Sequence, residues 1–486
     1  MKKHVTLLLL LAMLLSAFAS CTGDSPETTP ETPAETQPVE TEETEAELTA
    51  NLPDVNYDGY EFTILTLNDY CNDFVVEGMT GEPLNDAAYE RNNKIYDTLG
   101  VKIVREQIGD TPGQGDAAGA LRNALAAGDT TYDWVRPHPT VGLVNMLIEG
   151  MLYNVYDMPV VDFSMPWWNQ SAIEALSVGD TACIMVGDYA ITKQGMLGLC
   201  FNKELMEDLG IQEDLYGMVW DGTWTADVMQ TLMEKAVMDM NGDGFIDGED
   251  RFGLLTDGFY DAWQFAFDQG LTTKDENGYP VCSINSERMH SIIDKCYQLY
   301  TSDACYITGY TNRGFPTSEF YKIVLAGDSL FFTMDVGSLY AYLRDIEYNF
   351  GILPLPKLDE AQENYVVNCG SGPSGIPVNA TDLERTGAVL EAISYYSYVY
   401  LRPVFFDTVL ENKSVRDEDS YRVLQLMHEN KQFDFACNMD PSGVLSNIVY
   451  SVVQQKNSTD FASYYASVEP KITSSFEKLY KQFSEQ

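Results

Sequence analysis

Residues 60–104 read as a strand, an amphipathic helix and a second strand, and that order leaves few folds open. The run YEFTILTL (60–67) is short, β-rich and bounded by charged and turn residues. In EPLNDAAYERNNKIYDTLGVKIV, Ala87, Ala88, Ile95 and Leu99 recur at helical spacing. Asp86 stands near the helix start, and Gly100 ends the helix before the strand VKIV. Two strands joined by a helical crossover run parallel, so the unit is βαβ. AGALRNALAAG, YDWVRPH and VGLVNMLIEGML repeat the theme as helix, strand and helix. Further on, MLGLCFNKELMEDLGI sets a strand directly before a helix, SLFFTMD and YNFGILPLPK read as strands, and the last hundred residues are mostly helical. The expected class is α/β.

At 486 residues the chain exceeds the usual size of one domain, so two compact units are expected. Residues 1–20 belong to neither. Lys2 and Lys3 precede an apolar run from Val5 to Leu15 and small residues follow, the pattern of a secretory signal. FAS before Cys21 resembles a bacterial lipobox, with Phe18 where leucine is usual, so Cys21 is the expected site of lipidation and membrane anchoring; the alternative is a plain secreted protein. Residues 21–54 are Thr-, Pro- and Glu-rich with almost nothing apolar, and read as an extended acidic tether. A net charge of −45 excludes nucleic acid as a partner. Nine cysteines less Cys21 leave eight with no CxxC spacing, which disfavours zinc and proves no disulfide.

DMNGDGFIDGEDRFG (239–253) is the sharpest local motif. With Asp239 first, Asp239, Asn241 and Asp243 fall at positions 1, 3 and 5 and Gly244 at 6. The Phe245 carbonyl falls at 7, Asp247 at 9 and Asp250 at 12. Calcium takes six to eight hard oxygens, and this spacing wraps them about one point while glycine makes the turn. Asp250 is shorter than the usual glutamate. A helix is expected before the loop, in TADVMQTLMEKAVM with Thr225 as N-cap, but RFGLL beyond it is strand-like. A switching EF-hand needs two helices. The expected role is therefore a structural Ca2+ brace, with an ion-free Asx-turn loop as the alternative.

NDAAYERNNKIYDTLGVKI, YDWV, MPWWNQSA, LGLCFNKEL, GTWTADVM, DMNGDGFIDGEDRFGL, FGILPLPKLDEAQENY and GIPVN occur in an order that resembles the extracellular solute-binding lipoproteins of ABC importers, family 1, the group similar to maltose-binding protein. The resemblance implies a two-lobed periplasmic-binding-protein-like (type II) fold with discontinuous lobes joined by a hinge. By analogy the crossings fall near residues 138 and 337. Lobe 1 would hold 55–138 plus 338–378, and lobe 2 would hold 139–337 plus 379–486. It also implies a monomer that hands its solute to ABC permease subunits.

In α/β sheets ligands sit beyond the carboxyl ends of strands. That selects Asn68 and Asp69 after TILTL, Arg136 and His138 at YDWVRPH, and Asp335 after LFFTM. Such side chains suit sugar hydroxyls, which pair well with planar carboxylates, amides and guanidinium. Sugar faces stack on aromatic rings. Trp168 and Trp263 are the candidates for stacking, with core packing as their other possible job, whereas Trp134 and Trp224 are expected in the core. Tyr340 is near a crossing implied by the resemblance, and Gln194 follows from the resemblance only. The expected solute is a mono- or oligosaccharide. A surface carbohydrate-active enzyme, or a receptor for a peptide or polyol, is the alternative; no P-loop, Rossmann or complete nucleophile-elbow motif is present.

Overall fold

In the computed structural model the first strand, β1 (Tyr60–Leu67), pairs in parallel with β2 (Val101–Ile108) and β3 (Trp134–Arg136). The model describes residues 48–67, 74–109, 115–138, 142–193, 195–258, 260–308, 318–335, 345–368, 370, 372–411 and 417–484. The signal segment, Cys21 and most of the tether lie outside these residues. The crossover helix Pro83–Leu99 begins where Glu82 accepts from the Asn85 amide at 2.8 Å. It ends at Gly100, whose φ of 65° only glycine takes without strain. Asp86, in the first turn of this helix as expected, also ties down the preceding turn by accepting from the Thr80 and Gly81 amides.

A second sheet runs β10–β4–β9–β5–β8. Its strands are β4 (Leu197–Asn202), β5 (Phe252–Thr256), β8 (Cys305–Ile307), β9 (Ser329–Asp335) and β10 (Phe350–Pro354). Strand β5 is parallel to β8 and β9, whereas β4 is antiparallel to β9 and β10. All five residues of β5 and the first six of β9 are buried, as strands covered on both faces must be. Gly253 shows how tightly the cover fits: a Cβ there would lie 2.4 Å from the Met233 backbone on the helix Ala226–Ala236. A side chain would push that helix off the sheet.

From Thr49 onward the chain forms one compact unit with separate apolar cores beneath the two sheets. The packing departs from the expected lobe boundaries. Residues 143–190, assigned above to lobe 2, bury Leu143, Met146, Val155, Trp167 and Ile173 with the first sheet. Residues 350–354, assigned to lobe 1, form β10 of the second sheet. The first crossing thus falls between Ala190 and Ile191, inside the 3-10 turn Asp188–Lys193. Another lies between Ile393 and Leu401, through the π-helical stretch Ser397–Leu401. The tether ends earlier than residue 54, because Ala50 and Leu52 pack on the first core.

Two elements reach across. The hairpin of β6 (Thr272–Lys274) and β7 (Pro280–Cys282) docks where the Gly179 amide donates to Gly278 O at 3.1 Å and Lys274 donates to Ser177 O. The C-terminal helix Phe461–Ser484 gives Ile472 and Phe476 to the second core, and Leu479 and Phe483 to the first. Last, β11 (Val367–Asn368) pairs in parallel with β12 (Lys431–Gln432). No helix among the described residues is long and apolar enough to cross a membrane.

Candidate functional site

The carboxyl ends of the parallel trio β8, β5 and β9 bring Thr308, Asp257 and Asp335 to one edge of the second sheet. The Thr308 amide donates to Thr256 O at 3.1 Å, which pins the two strand ends together. Thr333 and Thr256 join through their hydroxyls at 3.1 Å, and the Gly258 amide donates to Thr256 Oγ1 at 3.2 Å. These bonds fill the layer beneath the edge. At the strand ends, Asp257 Oδ1 and Thr308 Oγ1 are buried oxygens that make no hydrogen bond among the described residues. Burial first, with the Asp335 charge adding to it, pushes Asp257 up to about 7. An incoming hydroxyl or amine would satisfy either oxygen.

Of the residues expected at this edge, Asp335 is where the strand-end rule put it, opposite Leu197 of β4. Asp257 and Thr308 were missed. The same rule applied to FGLLT selects Asp257, which directly follows that strand. Asn68, Asp69, Gln194 and Tyr340 lie outside the described residues.

At the first sheet the expectation for Arg136 needs correcting. The side chain is fully buried, its guanidinium carbon 4.7 Å from the Phe74 ring centre and 5.3 Å from that of Tyr189. Arg91 faces the same Phe74 ring at 5.1 Å, and Trp134 meets Phe74 and Tyr189 edge-on. Arg136 therefore belongs to a packed cation–aromatic cluster and not to an open loop. His138 is half-buried and its carbonyl accepts from the Gly142 amide.

Neither stacking candidate presents a free face. Trp168 is 5% exposed, its indole donates to Glu391 at 2.8 Å, and Phe163 packs on it. Trp167 donates to the other Glu391 oxygen at 2.9 Å. Trp263 is fully buried beside Phe267 and Tyr300. Both rings are core members in this conformation, as Trp134 and Trp224 are.

The 239–250 loop stands apart from this edge, between the helix Ala226–Ala236 and β5. Thr225 occupies the N-cap position without making a side-chain cap bond. Asp239 accepts from the Gly242 and Gly244 amides, Asn241 from Asp243, and Asp243 from Phe245. Asp247 accepts from the Glu249 amide. Asp250, 1% exposed, takes the Met240 amide on one oxygen and the Asp247 amide on the other, which holds its carboxyl below the usual range. The all-oxygen donor set suits calcium in kind. In this arrangement, however, Asp250 braces the loop from within, and among the described residues no three acidic, histidine or cysteine side chains converge as a metal site would require.

No family model and no curated protein matches the chain. Solved structures do. The GacH receptor of Streptomyces glaucescens, studied unliganded and with acarbose, aligns at a TM-score of 0.55 and 13% identity over 87% of this chain and 99% of its own. UgpB of Mycobacterium tuberculosis, in complex with glycerophosphocholine, aligns at 0.55 and 13% over 86% and 98%. The cyclic alpha-maltosyl-1,6-maltose binding protein of Arthrobacter globiformis aligns at 0.53 and 13% over 88% and 100%. The two larger sheets with their separate apolar cores and several crossings, matched over nearly the whole length of these receptors, give this chain the two-lobed α/β fold of the periplasmic-binding-protein type.

Proposed function

We propose that the chain is an extracellular solute-binding protein of an ABC importer, anchored through Cys21, which closes over a small polar solute and passes it to permease subunits. The observation that carries this reading is the pair of buried, unbonded oxygens, Asp257 Oδ1 and Thr308 Oγ1, at the strand ends where this fold takes its ligands. Buried acceptors without donors are costly, and a polyhydroxylated solute supplies the donors. A mono- or oligosaccharide fits best. Receptors of this fold take acarbose and a cyclic maltosyl-maltose, and the hydroxyls of such solutes can donate to oxygens of this kind. Two neighbouring carboxylates are also what a glycoside hydrolase needs, so the test has to look for turnover as well as binding.

A thermal-shift screen across neutral sugars, amino sugars, polyols, sugar phosphates and short peptides is the direct experiment. A solute at a hundred times its Kd adds about 2.7 kcal/mol of stability, which a melting curve resolves. The expected result is a rise with a sugar that is recovered intact; a cleaved sugar would make the protein an enzyme, and hits confined to peptides would remove the sugar reading.

In the same reading the 239–250 loop is a brace, with calcium as the ion its oxygens suit. Asp239, Asn241, Asp243, Asp247 and the Phe245 carbonyl would hold the ion, with Asp250 turning outward to complete the set. Calcium is expected to raise the melting temperature of the wild-type chain and not that of Asp243→Ala. Identical melting of both proteins with calcium and with chelator would leave a loop that needs no ion.

A further inference from the structure

Two of the chain crossings meet at one ion pair. Asp188 begins the first crossing, Arg402 follows directly on the π-helical second, and Arg402 Nη1 lies 3.2 Å from Asp188 Oδ2. The Asp188 carboxylate is almost wholly buried, and its amide donates to Trp167 O. The Arg402 guanidinium lies over the rings of Tyr398 and Phe406, at 5.3 and 5.9 Å. Behind it, His428 packs edge-on against Phe406, and Lys431 Nζ on β12 is 3.5 Å from His428 Nε2. Glu391, on the neighbouring helix Leu383–Tyr396, is held by the two indoles. Among the described residues, the charges acting on Asp188 are Arg402 and Lys431.

We propose that the Asp188–Arg402 pair is a hinge latch, joining two crossings and setting how readily the lobes part. The irregular backbone on both sides supports this, since 3-10 and π stretches are where helical chain most easily changes its winding. The latch rests on the fold and not on the identity of the solute.

Its pH dependence follows from burial. Desolvation outweighs the pull of Arg402 and Lys431 and pushes Asp188 up to about 6. A carboxyl raised while packed, and ordinary once exposed, binds an extra proton in the packed state between roughly pH 4 and 6. Acid therefore favours the packed hinge, and opening becomes easier as pH rises through 6. His428, pushed down to about 3 by burial and then by Lys431 and Arg402, stays neutral throughout this window.

The test is hydrogen–deuterium exchange of residues 187–193 and 397–405, corrected for intrinsic rates, in the purified protein without solute. Wild-type opening is expected to increase about tenfold between pH 5 and 7.5, while peptides from β1 and β9 hold steady. Asp188→Asn should exchange at the slow, acid level at both pH values. Arg402→Gln should exchange faster than wild type at pH 7.5, because it strands a buried carboxylate. Opposite responses from the two partners are the signature. Faster exchange in both variants would reduce the pair to ordinary support, and flat wild-type exchange would overturn the latch even if neither variant folds. A sugar screen without hits would leave these outcomes unaffected.

Discussion

Replacing Asp257 with alanine is expected to weaken solute binding by about 10- to 100-fold, the ~1.5–3 kcal/mol of a hydrogen bond to a charged group. Isothermal titration with the sugar found by the melting screen measures it. Unchanged affinity would move the site away from the second sheet. The same residue makes a separate prediction without solute. Its carboxyl is held at about 7 in the folded chain by burial and by Asp335, against an ordinary value of 3.8. The folded state therefore binds the extra proton between those values, and stability is lost as pH rises from about 4 to 7. Asp257→Asn removes that loss. Denaturation of both proteins at pH 5 and pH 8 should show the variant's advantage over wild type growing by about 2–3 kcal/mol between those two values. Equal stability at pH 8 would mean that the Asp257 carboxylate is well solvated.

The second large effect is in the first core. Glu391→Ala is expected to cost about 3–5 kcal/mol, because two buried indole N–H groups lose their acceptor at once and a cavity opens between them. The bonds are 2.9 and 2.8 Å, and the Asp162 amide donates to the same carboxylate at 3.3 Å. Glu391→Gln keeps one good acceptor and turns an amide nitrogen toward the other indole, so it should fall between alanine and wild type. Urea midpoints at unchanged slope would establish the order. If alanine and glutamine prove equally mild, water must reach the indoles.

Local features of the fold were legible in the residues because short-range physics sets them. The strand at 60–67, the helix stop at Gly100 and the single helix before the acidic loop each depend on neighbours a few positions away. What escaped depends on partners far along the chain. Trp168 looked free to stack because its acceptor, Glu391, is 223 residues distant. Arg136 looked like a loop residue because the Phe74 and Tyr189 rings that enclose it come from other segments. The lobe boundaries rested on analogy alone, whereas the packing of residues 143–190 with the first sheet is set by their three-dimensional partners. Asp257 lay within reach of the strand-end rule but was hidden by the stronger motif just before it.

The helix Phe461–Ser484 also bears on the order of assembly. Leu479 and Phe483 complete the core under a sheet whose first strand begins at Tyr60, so that core joins residues more than four hundred positions apart. Contacts of such separation close slowly. A nascent chain cannot complete this core until the helix Phe461–Ser484 has been made, and until then the apolar residues Leu65 and Leu67 of β1 lack part of their cover. Shortening the C-terminus by a few residues would strike the earliest part of the chain.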